Sequence, residues 1–153
     1  MTLSFLGKRS SKSLAITLVE SNKFDNWLKK QDIFTKNFAK NTEFSAKNGA
    51  FIQIPAKNGK TEKIVVCYGG SASCLYALSD LPAKLPKNPS GYFIDSVHSA
   101  DELTSLTLGW ALGSYVFNRY KKSKTGTFAK LVWPAKVNRP YIEITARSVF
   151  MAR

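Results

Sequence analysis

The sequence predicts an α/β fold, a mixed β-sheet flanked by helices on both faces. Strand-like and helix-like segments alternate in the order β, α, α, β, β, α, β, α, β, α, which favours a layered sheet over a bundle or a barrel. One run, Glu62 to Tyr68 (EKIVVCY), is apolar throughout its middle, as a strand covered on both faces must be. A long segment from about Ala100 is apolar around nearly its whole circumference, the pattern of a buried helix.

Leu14 to Glu20 (LAITLVE) is a β-leaning apolar run and reads as the first strand. Ser21-Asn22 follows as a turn and N-cap candidate. Phe24, Trp27 and Leu28 then share one helix face at i, i+3, i+4, and Gln31-Asp32 breaks that helix. Ile33, Phe34 and Phe38 make the stripe of a second short helix. Asn41 to Gly49 is polar and loop-like. Ala50 to Pro55 alternates as a strand, and Asn58-Gly59 is a hairpin turn signal leading into Glu62 to Tyr68.

Gly69-Gly70 ends that strand, and Ser71 or Ser73 is placed to cap a helix to about Leu81. Pro82, Pro86 and Pro89 are expected to forbid regular helix beyond it. Gly91 to Ser96 reads as a short strand. Ser99 is an N-cap candidate, with Asp101 and Glu102 as favourable charges in the first turn. The helix expected from about Ala100 to Lys121 carries Leu103, Leu106, Trp110, Phe117 and Tyr120 on one stripe. Gly109 and Gly113 lie on one face of it. Each costs roughly 1 kcal/mol relative to Ala in a helix, so a neighbouring backbone is expected to pass very close there. Phe128 to Pro134 is a further strand. Pro140 opens a last helix, with Ile142, Ala146, Val149, Phe150 and Arg153 at helical spacing. That helix reaches Arg153 with no cap, Gly or polar tail, as expected of one that continues into further protein. The expected organisation is an α/β domain over residues 1–138 and the start of a connecting helix over 139–153.

Composition narrows the function classes. The 153 residues suffice for one domain with a core that needs no disulfide or metal. No stretch approaches about 18 uninterrupted apolar residues, which argues against a membrane span. Met1 to Ser13 lacks the basic-then-apolar pattern of a signal peptide, so a cytoplasmic location with reduced Cys67 and Cys74 is expected. The formal charge of +13 raises the expectation of polyanion contact. Eighteen of the 23 basic residues are lysines spread along the chain, however, and base reading leans on arginine geometry.

Few residues are arranged for chemistry. Gly69, Gly70, Ser71 and Ser73 form a strand-to-helix turn whose N–H groups could cradle a phosphate, although the dinucleotide-binding and Walker patterns are absent. The single His98 stands beside a helix start without an adjoining nucleophile motif, and reads as a surface or capping residue. Cys67 reads as a core thiol; Cys74, near a helix start, has a position in which its pKa would fall. The acids are dispersed, with no cluster of the kind a two-metal hydrolase needs, so no catalytic and no metal residue is assigned. Arg119-Tyr120-Lys121-Lys122-Ser123-Lys124 either grips a nucleic-acid backbone or complements the negative end of a helix dipole.

Leu108 to Lys122 (LGWALGSYVFNRYKK) resembles a helix of leucyl aminopeptidase N-terminal domains, through Gly109, Trp110, Gly113, Tyr115, Phe117, Tyr120 and Lys121. Asn118 stands where that family often has Asp. Leu131-Val132-Trp133-Pro134 is similar to the strand that follows, and Ile144 to Arg153 to the helix leading into the catalytic domain. The resemblance implies a macro-domain-like α/β fold and a non-catalytic role in assembly or in shaping access to an active site. It also implies a parent enzyme that releases N-terminal amino acids from peptides with two divalent metals, Mn or Zn, and that assembles as a hexamer. This chain would hold no cofactor, and its partner would be its own C-terminal catalytic domain. The alternatives are a basic nucleic-acid-binding module and a macro-like nucleotide or ADP-ribose binder.

Overall fold

The computed structural model describes residues 4–70, 74–96, 98–114 and 128–152. Strand β1 (Phe5–Leu6) is followed by β2 (Leu14–Glu20), α1 (Phe24–Lys29), α2 (Ile33–Asn41), β3 (Phe51–Pro55), β4 (Thr61–Tyr68), α3 (Cys74–Ala77) and α4 (Leu81–Lys84). Then come β5 (Tyr92–Ile94), α5 (Ala100–Gly113), β6 (Leu131–Val132) and α6 (Arg139–Met151). The strands form one mixed sheet in the order β1-β6-β5-β2-β4-β3. Every pairing is parallel except β3 with β4, the expected hairpin. Gly59 makes its turn at φ +81°, where a side chain would be strained.

Alternation along the strands divides the core in two. Ile16, Leu18, Ile64 and Val66 face α3, α4 and α5, meeting Leu78, Leu81, Leu106 and Trp110. Val19, Val65 and Cys67 face the other way, against Phe24 and Ala39 of α1 and α2. Because β4 supplies both sets, it is buried on both faces, which is why its sequence is apolar without alternation. Trp110 is wholly buried, and its Nε1–H donates to Ser4 O at 3.2 Å, tying the N-terminal strand to α5. Burying an indole removes roughly 150–250 Å² from water, worth about 4–6 kcal/mol as an upper bound.

Helix α6 forms a third layer. Asn138 caps it by accepting from Tyr141 N–H at 3.1 Å, and Pro140 sits in the first turn. Ile142, Ala146 and Phe150 pack on Leu108 and Ala111 of α5. Tyr141, Ile144 and Met151 are exposed on α6's other sides.

Several local expectations need correction. Ser21 caps no helix: it lies in a 3-10 turn, and its hydroxyl donates to Tyr68 O at 3.2 Å. The buried positions of α2 are Thr35 and Ala39, with Phe38 partly buried against the same core, whereas Ile33 and Phe34 are 76% and 51% exposed; Asp32 caps the helix by accepting from Thr35 N–H. Pro82 does not end helical structure but opens α4 near its N-terminus, where its missing N–H has no partner to lose. The strands expected at 91–96 and 128–134 are paired only over Tyr92–Ile94 and Leu131–Val132. Phe5–Leu6 was not expected to pair at all. Two residues carry no periodic signal, and β1 is held by pairing with β6 and by Phe5 stacking on Trp133 at 4.0 Å. The part of the long helix expected beyond Ser114 falls outside the described residues.

Candidate functional site

β2 lies between β4 and β5 in the sheet. After β2 the chain moves to one side of it, to β3 and β4, and after β4 it crosses to β5 on the other side. Loops that leave parallel strands in opposite directions open a crevice at the strands' carboxyl ends. A cleft of about 580 Å³ lies there, lined by the end of β2 (Leu18, Val19, Glu20), by Lys23, Trp27 and Lys30, by Tyr68, and by Ser96 and His98.

The floor of the cleft is a hydrogen-bonded chain. His98 Nδ1 is 3.2 Å from Glu102 Oε2, and Nε2 is 2.6 Å from Ser96 Oγ. A carboxylate only accepts, so Nδ1 carries the proton in the neutral imidazole and Nε2 accepts from the Ser96 hydroxyl. Ser96 Oγ in turn accepts from Leu18 N–H at 3.1 Å, fastening the loop after β5 to β2. The His98 side chain is 3% exposed and meets Tyr68 edge-on at 5.9 Å. Burial, with Glu102 and Glu20 nearby, pushes the Tyr68 phenol up to about 12, so it remains a neutral donor.

His98 is therefore neither a surface residue nor only a helix-start neighbour, and a serine does adjoin it. The order hydroxyl, imidazole, carboxylate matches that of acyl-transfer hydrolases. In such enzymes the imidazole must reach the leaving group, however, and an imidazole this buried cannot; the hydroxyl is also held by Leu18 N–H. The trio is a rigid polar floor. In the sequence Ser96 reads only as the end of a strand and Glu102, with Asp101, only as a helix-start charge, so neither is joined to His98 there. The four-residue spacing of His98 and Glu102 across a helix start was the available signal.

In the Gly69-Gly70 turn, the Gly69 N–H is committed to Asn48 Oδ1 at 3.1 Å, and Gly70 has φ +101°. Ser71 and Ser73 lie outside the described residues. Cys67 is fully buried, and desolvation pushes its thiol up to about 12. Cys74 is also buried, and its pKa is raised by burial, then by Glu102 and Glu20, rather than lowered by the helix start. Ser99 and Glu102 do form the expected start of α5, with Glu102 N–H donating to Ser99 Oγ at 3.2 Å.

At Gly109 an added Cβ would lie 1.9 Å from Leu75 O, and at Gly113 1.8 Å from Ser79 O. The backbone around α3 thus runs directly against α5, as the two helix glycines led one to expect. Tyr115, Phe117, Tyr120 and Lys121, with the basic tract 119–124, lie outside the described residues.

The described residues do not fit a two-metal centre. No group of three His, Cys, Asp or Glu side chains converges among them, His98 is committed on both nitrogens, and both thiols are buried. No described helix is long and apolar enough to cross a membrane.

The family model for the M17 aminopeptidase N-terminal domain matches residues 14–134. Among solved structures, a cytosol aminopeptidase from Coxiella burnetii superposes with a TM-score of 0.79 at 21% identity, over 96% of this chain and 32% of that one. The bottromycin maturation enzyme BotP gives 0.59 at 16% identity, over 92% and 32%. A tomato leucine aminopeptidase variant gives 0.52 at 16% identity, over 95% and 35%. The chain thus spans about a third of the length of these structures, and the likeness is one of fold. No curated protein matches the sequence. With four-fifths of the chain under the family model and that fold over nearly all of it, the protein belongs to the M17 aminopeptidase family, of which it carries the N-terminal domain.

Proposed function

We propose that this chain is the non-catalytic N-terminal domain of a leucyl aminopeptidase, acting in assembly or in shaping access to a catalytic domain that follows it. The carrying observation is that the chain is covered almost whole by the cytosol aminopeptidase fold while covering only 32% of that protein. On this reading residues 1–138 form the domain and 139–153 begin the connecting helix. The exposed Tyr141, Ile144 and Met151 of α6 support it, because a catalytic domain packed there would cover them. The parent enzyme would release N-terminal amino acids from peptides in the cytoplasm. It would use two divalent metals held outside this chain, Mn or Zn; a related structure, BotP, is described in complex with Mn. A hexamer is the proposed assembly.

The test has two arms. The 153-residue chain, with Mn or Zn, should not hydrolyse a leucyl anilide. The product of the gene, with whatever coding sequence follows Arg153, should hydrolyse it in a metal-dependent way and elute as a hexamer. Activity in the short chain, or a frame that ends at Arg153, would refute the proposal.

A further inference from the structure

The cleft at the carboxyl ends of β2, β4 and β5 is not used by the aminopeptidase reading, and we propose that it binds a nucleoside monophosphate, with the base against Trp27 and the phosphate at Lys30. Its size, about 580 Å³, is that of a small-molecule pocket, which spans roughly 300–1,000 Å³. Its position is the reversal point of a parallel sheet, where the fold leaves a crevice without any special sequence.

The walls and rim select the ligand class. Val19 and the Trp27 ring, on the same face of the sheet, are apolar and suit a flat heteroaromatic face. Trp27 is half-buried, stacked on Phe24 at 5.7 Å and has Lys63 Nζ 5.9 Å from its ring centre, so its ring is held in place before any ligand arrives. Lys23, Asn26 and Lys30 stand at the mouth. Glu20, the carboxylate of the lining, is paired with Lys23 at 3.3 Å, which leaves Lys30 as the cation that sets the sign of the rim. A chain of formal charge +13 draws anions towards such an opening. At the base, the Ser96 hydroxyl is fixed by Leu18 N–H and His98, and it keeps one acceptor lone pair for a ring or ribose donor. This reading is independent of the peptidase assignment, since it concerns binding by this chain alone.

The test is calorimetric titration of the 153-residue chain with AMP, GMP and UMP, and separately with adenosine and with inorganic phosphate. At least one nucleotide should bind with a sub-millimolar Kd, more tightly than adenosine or phosphate. Lys30→Glu, at an exposed position, should weaken it roughly tenfold. Trp27→Leu should weaken it roughly five- to a hundredfold. Lys57→Glu, on the distant hairpin turn, should leave it unchanged. Circular dichroism melts verify that each variant is folded. No heat with any nucleotide up to about 5 mM would overturn the proposal. So would binding indifferent to both cleft variants, or phosphate binding as tightly as the nucleotides.

Discussion

Gly109→Ala sets two opposing effects against each other. In an isolated helix alanine is favoured by roughly 1 kcal/mol. Here the new methyl would lie 1.9 Å from Leu75 O and 3.0 Å from Leu75 C, both backbone atoms that cannot rotate away. To restore a tolerable contact, α5 must withdraw from α3 by about 1 Å, a gap that forfeits a quarter to a half of the dispersion energy across the interface. The next residue, Trp110, is wholly buried against Tyr92, so the withdrawal also loosens the main core. Overpacking of this kind costs about 1–3 kcal/mol and here outweighs the helix preference. Set against each other, the two terms leave an expected net loss of about 1 kcal/mol, read as a fall in Tm of about 2–4 °C and a urea midpoint lower by about 0.5 M. Gly7→Ala, where nothing lies within 4 Å, should stay within about 0.5 kcal/mol. A Gly109→Ala chain as stable as the parent, or more so, would show that α3 does not press on α5 in solution.

Ser96→Ala should cost about 1–3 kcal/mol in urea unfolding, because Leu18 N–H and His98 Nε2 both lose their partner. Ile142→Ala should cost about 2–5 kcal/mol, since Ile142 is fully buried, whereas Ile144→Ala, at 66% exposure, should change the stability of this chain by less than about 0.5 kcal/mol. Stability should fall as pH rises from the ordinary cysteine value of 9.0 towards about 12, because over that range the unfolded chain loses the Cys67 proton that the folded chain keeps. The slope from this group is at most about 1.4 kcal/mol per pH unit. A Cys67→Ala chain should show a shallower alkaline decline in the same melts.

Local chemistry made many elements readable. β2 has the predicted bounds, Asn58-Gly59 makes the hairpin turn, and Ser99 caps α5, because strand alternation, positive φ and N-capping act over a few residues. The two glycines of α5 even betrayed a contact, since a helix keeps an unfavourable residue when something needs the space. The α2 stripe held only for Phe38, for a related reason. Periodicity shows that Ile33, Phe34 and Phe38 share a helix face, but not which face the sheet covers, and the sheet took Thr35 and Ala39.

The sequence by itself thus determined the α/β class, most of the elements, a β4 buried on both faces and, through the resemblance carried by Leu108 to Lys122, the family. The tertiary structure alone decided that β2 sits between β4 and β5, that a cleft opens where their connections diverge, and that Ser96 and His98 meet the end of β2 there. Leu18 and Ser96 are 78 residues apart, and no local preference reports such a pairing. It arises only when the whole sheet has closed, since strand order is set by the burial of every strand at once.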